Sequence, residues 1–418
     1  MLEYWYEDQR TLRDFRRRPL GPFFDGLAAR LKERGYVHGT AQKILSKCNL
    51  FNSYLIEQGL TECEKITPAH SEAFLDCYLT EIQTTGGDRN RRSLMRGLLK
   101  HMFQYLEGKK IIHPSPPNPI PSRYRWLLVP YLQYLREERE FTEETIRQTC
   151  NTLRHFLDSL GENVTPQHMK RLKAEVVDAY VKQNLQETRE NLRQMIGRLR
   201  GFLKVCASHQ LIDRDLSGVL PAIPSYKLAS LPKGMDDVSL QRILNIIPTD
   251  SAGGARDYAI LTLMMAYGLR GRSITTLLLE DLNWPRSTIR IRTCKGGKEV
   301  VLPLLEAVGE AILRYLRFRP ATSYREVFLY TRAPFLPIKN LAVAALARKK
   351  MIKAGVKTPK GGARTLRHSW AIRALVHDSS IKSIADVLGH RDLNTTFIYA
   401  KADLKTLRQV AVPWPEER

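Results

Sequence analysis

Several things are scarce in this sequence, and each scarcity excludes something. There are 6 cysteines in 418 residues, Cys48, Cys63, Cys77, Cys150, Cys206 and Cys294. No two stand as CxxC and no His/Cys cluster has metal-ligand spacing, so a zinc module or a disulfide framework is not indicated. Reduced, mostly buried thiols are expected, with no metal and no cofactor. No apolar run is long enough to span a bilayer, and no membrane partner is expected. The opening residues, MLEYWYEDQRTLRDFRRRP, carry acids and lack an apolar h-region or a cleavage site, which argues against a signal or transit peptide and for a cytoplasmic protein. Acids are also in deficit. Asp plus Glu total 43 against 66 Lys plus Arg, a net charge of +23. Solubility does not require so large an excess, and it points to a polyanion partner. Charge by itself does not separate DNA from RNA or acidic lipid.

With 43% hydrophobic and 26% charged residues, the chain has the composition of a globular protein, and its length favours two or three domains. Two proline-rich stretches, HPSPPNPIPSR at 113–123 and DRDLSGVLPAIPSYKLASLPKG at 213–234, deny helix and mark linkers. They delimit residues 1–115, 123–215 and 234–418.

The first two segments share an internal order. Tyr36 and Thr40 fall opposite Phe141 and Thr145, Phe51 opposite Phe156, and the Thr-Pro pair at 67 recurs at 165. Met95, Leu99, Phe103 and Ile112 match Met195, Leu199, Leu203 and Ile212. Apolar residues at three- and four-residue spacing, with Thr-Pro at helix starts, predict two similar helical modules of about four helices each. In the third segment VSLQRILNII and DYAILTLMMAYGL have helical periodicity. STIRIRTCKGGKEVVLPL instead alternates about a Lys-Gly-Gly-Lys turn, as a hairpin does.

Arg270 in AYGLRGRS, Lys295 and Lys298 in CKGGK, Arg364, Arg367 and His368 in ARTLRHSW, His390 after Leu388-Gly389, and Tyr399 in TTFIYAK are candidate chemistry-bearing residues. Singly, each has an ordinary reading: a helix-terminal arginine, a solvated turn lysine, a cation at a helix C-terminus, a core aromatic.

Taken in order and spacing, the boxes resemble the catalytic domain of tyrosine recombinases, the phage-integrase and Xer class. These are a GLR box, a hairpin lysine 25 residues later, an RH box, an LGH box, and a tyrosine nine residues after that histidine. The resemblance covers about residues 236–404, and more loosely 126–212, which look like the helical core-binding module that precedes this domain. It implies a mainly α protein: two tandem helical DNA-binding modules, core-binding and SAM-like, then a mostly helical catalytic domain with a small antiparallel sheet. It further implies site-specific cleavage and rejoining of double-stranded DNA through a 3′-phosphotyrosine, a homo-tetramer on two DNA sites, and possible accessory recombinases. The duplicated module points to an integrase or transposase of a mobile element.

Such chemistry needs these residue types. Two permanently charged, planar guanidiniums, Arg270 and Arg367, suit the non-bridging oxygens of the scissile phosphate. Tyr399 is the nucleophile, and its phenol, with an ordinary pKa near ~10, must lose a proton as it attacks. The leaving 5′-oxygen needs one, and Lys295, with Lys298 as runner-up, is the expected donor. His390 is expected on a non-bridging oxygen or in proton transfer. Two positions depart from the family pattern. Arg364 stands where the family most often has histidine and cannot readily accept a proton. Ser273 stands where an acid is common, so another group must orient Arg270. His368 is expected to be structural. Leu404, Leu407 and Val410 form a short apolar stripe able to dock on a neighbouring protomer or on its own domain. Two alternatives stay open: a type IB topoisomerase-like DNA relaxing enzyme, and a non-catalytic protein that binds element ends.

Overall fold

The computed structural model describes residues 1–81, 88–112, 120–161, 164–224, 234–292, 299–356, 362–390 and 392–400. Lys295, Lys298, Cys294 and the stripe at 404–410 lie outside the described residues. Contacts gather Met1–His113 and Lys227–Arg418 into one compact unit and Pro114–Tyr226 into a second. Separate apolar cores form within residues 2–112, 124–220 and 235–366.

The first core is enclosed by α1 (Gln9–Phe15), α2 (Gly21–Glu33), α3 (His38–Glu57), α4 (Pro68–Glu81) and α5 (Asp88–Gly108). The second is enclosed by α6 (Ser122–Glu137), α7 (Glu143–Ser159), α8 (Pro166–Lys170), α9 (Ala174–Gln183) and α10 (Arg189–Ser208). Both sets contain one more helix than the expected four. The matched residues do equivalent work: Phe51 and Phe156, Leu99 and Leu199, and Ile112 and Ile212 are all buried. Both modules leave their last long helix through a non-glycine residue at positive φ, Lys110 (59°) and Gln210 (56°). The next amide then returns to the helix, from Ile111 to the Leu106 carbonyl and from Leu211 to that of Cys206. They differ where Pro68–Glu81 runs as one helix and its counterpart breaks into two. Thr165 caps α8 by accepting from the His168 amide, whereas the Thr67 amide donates to His70 Nδ1.

The third segment is built around α12 (Ala252–Tyr267), preceded by α11 (Asp237–Asn245). Ala259, Ile260, Leu261, Leu263 and Met264 of α12 are all fully buried, as expected of a helix apolar on every face. After α13 (Gly271–Thr275), the strands β1 (Leu282–Asn283), β2 (Thr288–Ile291) and β3 (Val300–Pro303) form an antiparallel sheet in the order β1-β2-β3. Ile291 faces Val300, so β2 and β3 are the two arms of the expected hairpin. Then come α14 (Glu306–Leu316), α15 (Asn340–Lys353), α16 (Ala363–Val376), α17 (Ile381–Leu388) and α18 (Phe397–Ala400). Four of the cysteines, Cys48, Cys63, Cys150 and Cys206, are buried free thiols, while Cys77 is exposed. Among the described residues no helix is long and apolar enough to cross a membrane.

Candidate active site

The glycines of two boxes set the backbone. Gly268 ends α12 in the left-handed region, φ 61°, and Gly389 ends α17 likewise, φ 62°. Glycine adopts this conformation without the Cβ penalty other residues meet. A Cβ on Gly268 would also stand 2.9 Å from the Trp370 ring and 3.0 Å from Leu388 Cδ2. The ends of α12 and α17 therefore meet against α16, and their last carbonyls, the negative ends of two helices, point into one place.

Both arginines point there. Arg367, on the second turn of α16, donates from Nη1 to the Gly268 carbonyl at 2.9 Å and from Nη2 to that of Leu388 at 2.7 Å. Arg270 Nη1 reaches the same Leu388 oxygen at 3.1 Å and the Gly389 carbonyl at 3.3 Å. These carbonyls orient Arg270 in place of an acid at 273; Ser273 is buried. Neither arginine takes part in an ion pair among the described residues. Arg367 is buried, and burial, with Arg270 alongside, brings its pKa down to about 10. The group remains charged at neutral pH, at an electrostatic cost an anion would relieve.

His390 Nε2 lies 2.8 Å from Arg367 Nη2 and its Nδ1 2.7 Å from Thr396 Oγ1. A guanidinium can only donate, so Nε2 is the accepting nitrogen and Nδ1 carries the proton given to Thr396. Burial and the two arginines push the His390 pKa down to about 4, which keeps that ring neutral.

Tyr399, on α18, has a side chain only 2% exposed, packed with Ala371, Leu375, Ile384 and Leu388. Its hydroxyl is 2.8 Å from His368 Nδ1. Burial raises the phenol pKa, while Arg367, Arg270 and Arg364 oppose that rise. The structure thus brings Arg270, Arg367, His390 and Tyr399 together at the ends of α12, α16, α17 and α18. Arg364 is exposed in the first turn of α16 and acts on His368 and Tyr399 through its charge. Two further residues hold groups of the site in ways the sequence did not indicate. His368, expected to be structural, holds the phenol, and the fully buried Thr396 fixes the His390 tautomer. The only sequence signal for His368 was its place beside Arg367, one helical turn after Arg364.

Converging arginines, a neutral histidine and a tyrosine gather on the closing helices of a small helical and sheet domain, donors of a kind that suits a phosphate. Residues 233–405 match the phage integrase family, and residues 128–210 match the phage integrase N-terminal SAM-like domain. A Sinorhizobium fredii protein named as integrase/recombinase y4rA is 32% identical over 411 residues, 96% of this chain and 95% of that protein. Tyrosine recombinase XerD of Xanthomonas campestris pv. campestris is 31% identical over 233 residues, 52% of this chain and 70% of that protein. The fold is similar to that of XerH site-specific recombinase bound to its palindromic difH substrate, with TM-score 0.53 and 15% identity over 73% of this chain and 99% of that one. It is also similar to that of a lambda integrase tetramer bound to a Holliday junction, with TM-score 0.52 and 13% identity over 77% and 89%. The chain belongs to the phage integrase family of tyrosine recombinases, enzymes that cleave and rejoin DNA strands.

Proposed function

We propose that this recombinase cuts duplex DNA with Tyr399, forms a 3′-phosphotyrosine, and rejoins the strand to a 5′-hydroxyl of a second duplex without an external energy source. The observation that carries the reading is the Leu388 carbonyl shared by the guanidiniums of Arg270 and Arg367. A single acceptor oxygen already takes hydrogen bonds from both, so a phosphate arriving there meets two donors converging on one point. Their charge, paired with no carboxylate among the described residues, stabilises the negative charge that builds in the transition state.

In this reading His390 holds Arg367 in place, since its Nε2 accepts rather than donates. Lys295, in the sequence between β2 and β3, supplies the proton to the leaving 5′-oxygen. Arg364 contributes charge to the phosphate. Tyr399, packed among Leu388 and its neighbours with its hydroxyl on His368, attacks the bound phosphate. Residues 1–115 and 123–215 act as two helical modules that grip the duplex, and 234–418 as the catalytic domain. The net charge of +23 supplies the attraction to phosphates. Four copies acting on two DNA sites, a cytoplasmic setting and a role in moving a mobile element complete the proposal. Full-length similarity to proteins named as integrase/recombinase supports that role.

The test uses duplexes that each carry one nick and together tile the DNA flanking the gene. Cleavage beside a nick releases a short strand and traps protein on DNA. A covalent adduct that depends on Tyr399 supports the reading. Relaxation of any supercoiled plasmid without recombinant products would instead indicate a topoisomerase, and tight binding with no adduct on any duplex would indicate a protein that only binds.

A further inference from the structure

We propose that His368 is the group that takes the proton from Tyr399 as the phenol attacks phosphorus, doing from position 368 what Arg364 cannot do from 364. This rests on the functional reading above. Its basis is the 2.8 Å contact between His368 Nδ1 and the Tyr399 hydroxyl, the latter's one hydrogen-bond partner among the described residues. The two rings stand 5.5 Å apart and inclined at 59°, so the contact runs along the edge of the imidazole. A buried phenol must donate its hydrogen somewhere, and Nδ1 of His368 accepts it when the neutral imidazole carries its own proton on Nε2.

The helix geometry makes the relocation possible. Positions 364 and 368 are four apart on α16 and occupy one face, one turn from each other. Arg364 at the first of these has no lone pair to offer. His368 at the second has one, aimed at the nucleophile.

The groups facing His368 set when it can act. Arg364 and Arg367 flank it on its own helix and Tyr399 faces it from α18, while Arg270 and His390 lie beyond them. Burial and the two flanking arginines hold the imidazole in its unprotonated, accepting form. A phosphodiester bound across the arginines cancels much of that field, and the imidazole then becomes the better base. Substrate binding and base strength are thereby linked.

The step balances. The bond from Tyr399 Oη to phosphorus forms, the bond from phosphorus to the 5′-oxygen breaks, and that oxygen takes a proton from Lys295. The phenol proton rests on His368 as imidazolium. In rejoining, a 5′-hydroxyl attacks phosphorus and gives its proton to the neutral amine of Lys295, the bond from phosphorus to Tyr399 Oη breaks, and His368 returns its proton to the departing phenolate.

The experiment compares wild type, His368→Gln, His368→Ala and Tyr399→Phe in single-turnover cleavage of the nicked duplexes between pH 6 and 10. His368→Gln should cleave at least ~100-fold more slowly at pH 7, a usual contribution of a general base. The deficit should narrow as pH rises toward ionisation of the phenol, with DNA affinity unchanged. Added imidazole should partly restore His368→Ala. A substrate with sulfur at the bridging 5′-position needs no proton on its leaving group; it should rescue Lys295→Ala and leave His368→Gln impaired. Wild-type rates and pH profile in His368→Gln, or its rescue by the sulfur substrate, would overturn the assignment. If wild type itself forms no adduct the functional reading fails; if it does and only the histidine variants behave as wild type, this inference alone fails.

Discussion

Three exposed arginines of the second compact unit and the buried Arg367 of the candidate site are held in opposite ways. Around α6, α7 and α10, Arg136 sits 2.6 Å from Glu143, Arg147 2.7 Å from Glu144, and Arg193 2.8 Å from Glu190. Each is exposed, and its carboxylate partner raises its pKa. At the candidate site Arg367 is buried against the carbonyls of two helix ends with a second arginine beside it, and its pKa falls. Where an arginine only decorates a helix, a nearby acid neutralises it. Among the described residues Arg367 pairs with no carboxylate, and the fold bears the cost of burying its charge.

The comparison can be broken at several points. Tyr399→Phe should abolish the covalent adduct while leaving the gel-shift affinity for duplex DNA nearly unchanged. Arg367→Ala should slow cleavage by roughly 100- to 1000-fold, the usual cost of losing a preorganised donor. It should also cost ~2 kcal/mol of stability in denaturant unfolding, because the Gly268 and Leu388 carbonyls lose a buried donor. Gly268→Ala should cost about 1–3 kcal/mol through its positive φ and the close Trp370 ring, and should weaken cleavage indirectly.

Acid should act on the site more than on the paired arginines. His390 and His368 both have pKa values held below the usual 6.5, so the unfolded chain binds their protons first as pH falls. Stability contributed by the neutral rings is present above about 6.5 and lost between there and about 4. The melting temperature should drop across that window, and His390→Asn should flatten the drop. Last and smallest, Arg193→Ala should leave both melting temperature and cleavage rate within error, as exposed ion pairs contribute little.

Much of this was legible in the residues. GLR, RH, LGH and the tyrosine, ordinary singly, pointed to one site through their order and spacing and the family these resemble, and the structure places Arg270, Arg367, His390 and Tyr399 near one another. The alternation about CKGGK announced β2 and β3, and the TP pairs announced helix starts at 68 and 166. What stayed hidden were partners without a sequence mark. Arg270 is oriented by the Leu388 and Gly389 carbonyls, and backbone oxygens look the same at every position. The pairing of His368 with Tyr399 spans 31 residues and depends on how α18 returns to α16. Periodicity gives the face of a helix but not what another helix brings to it. The split of α8 from α9 was hidden for a similar reason, since the loop at 171–173 carries no glycine or proline.

The most direct measurement is to trap the protein on a nicked duplex from the flanking DNA, digest the adduct with trypsin, and find the modified peptide by mass spectrometry. The account predicts nucleotide attached to Tyr399 in the peptide spanning residues 392–401, and none in the Tyr399→Phe protein. An adduct on any other residue, or an undiminished adduct in that variant, would contradict it.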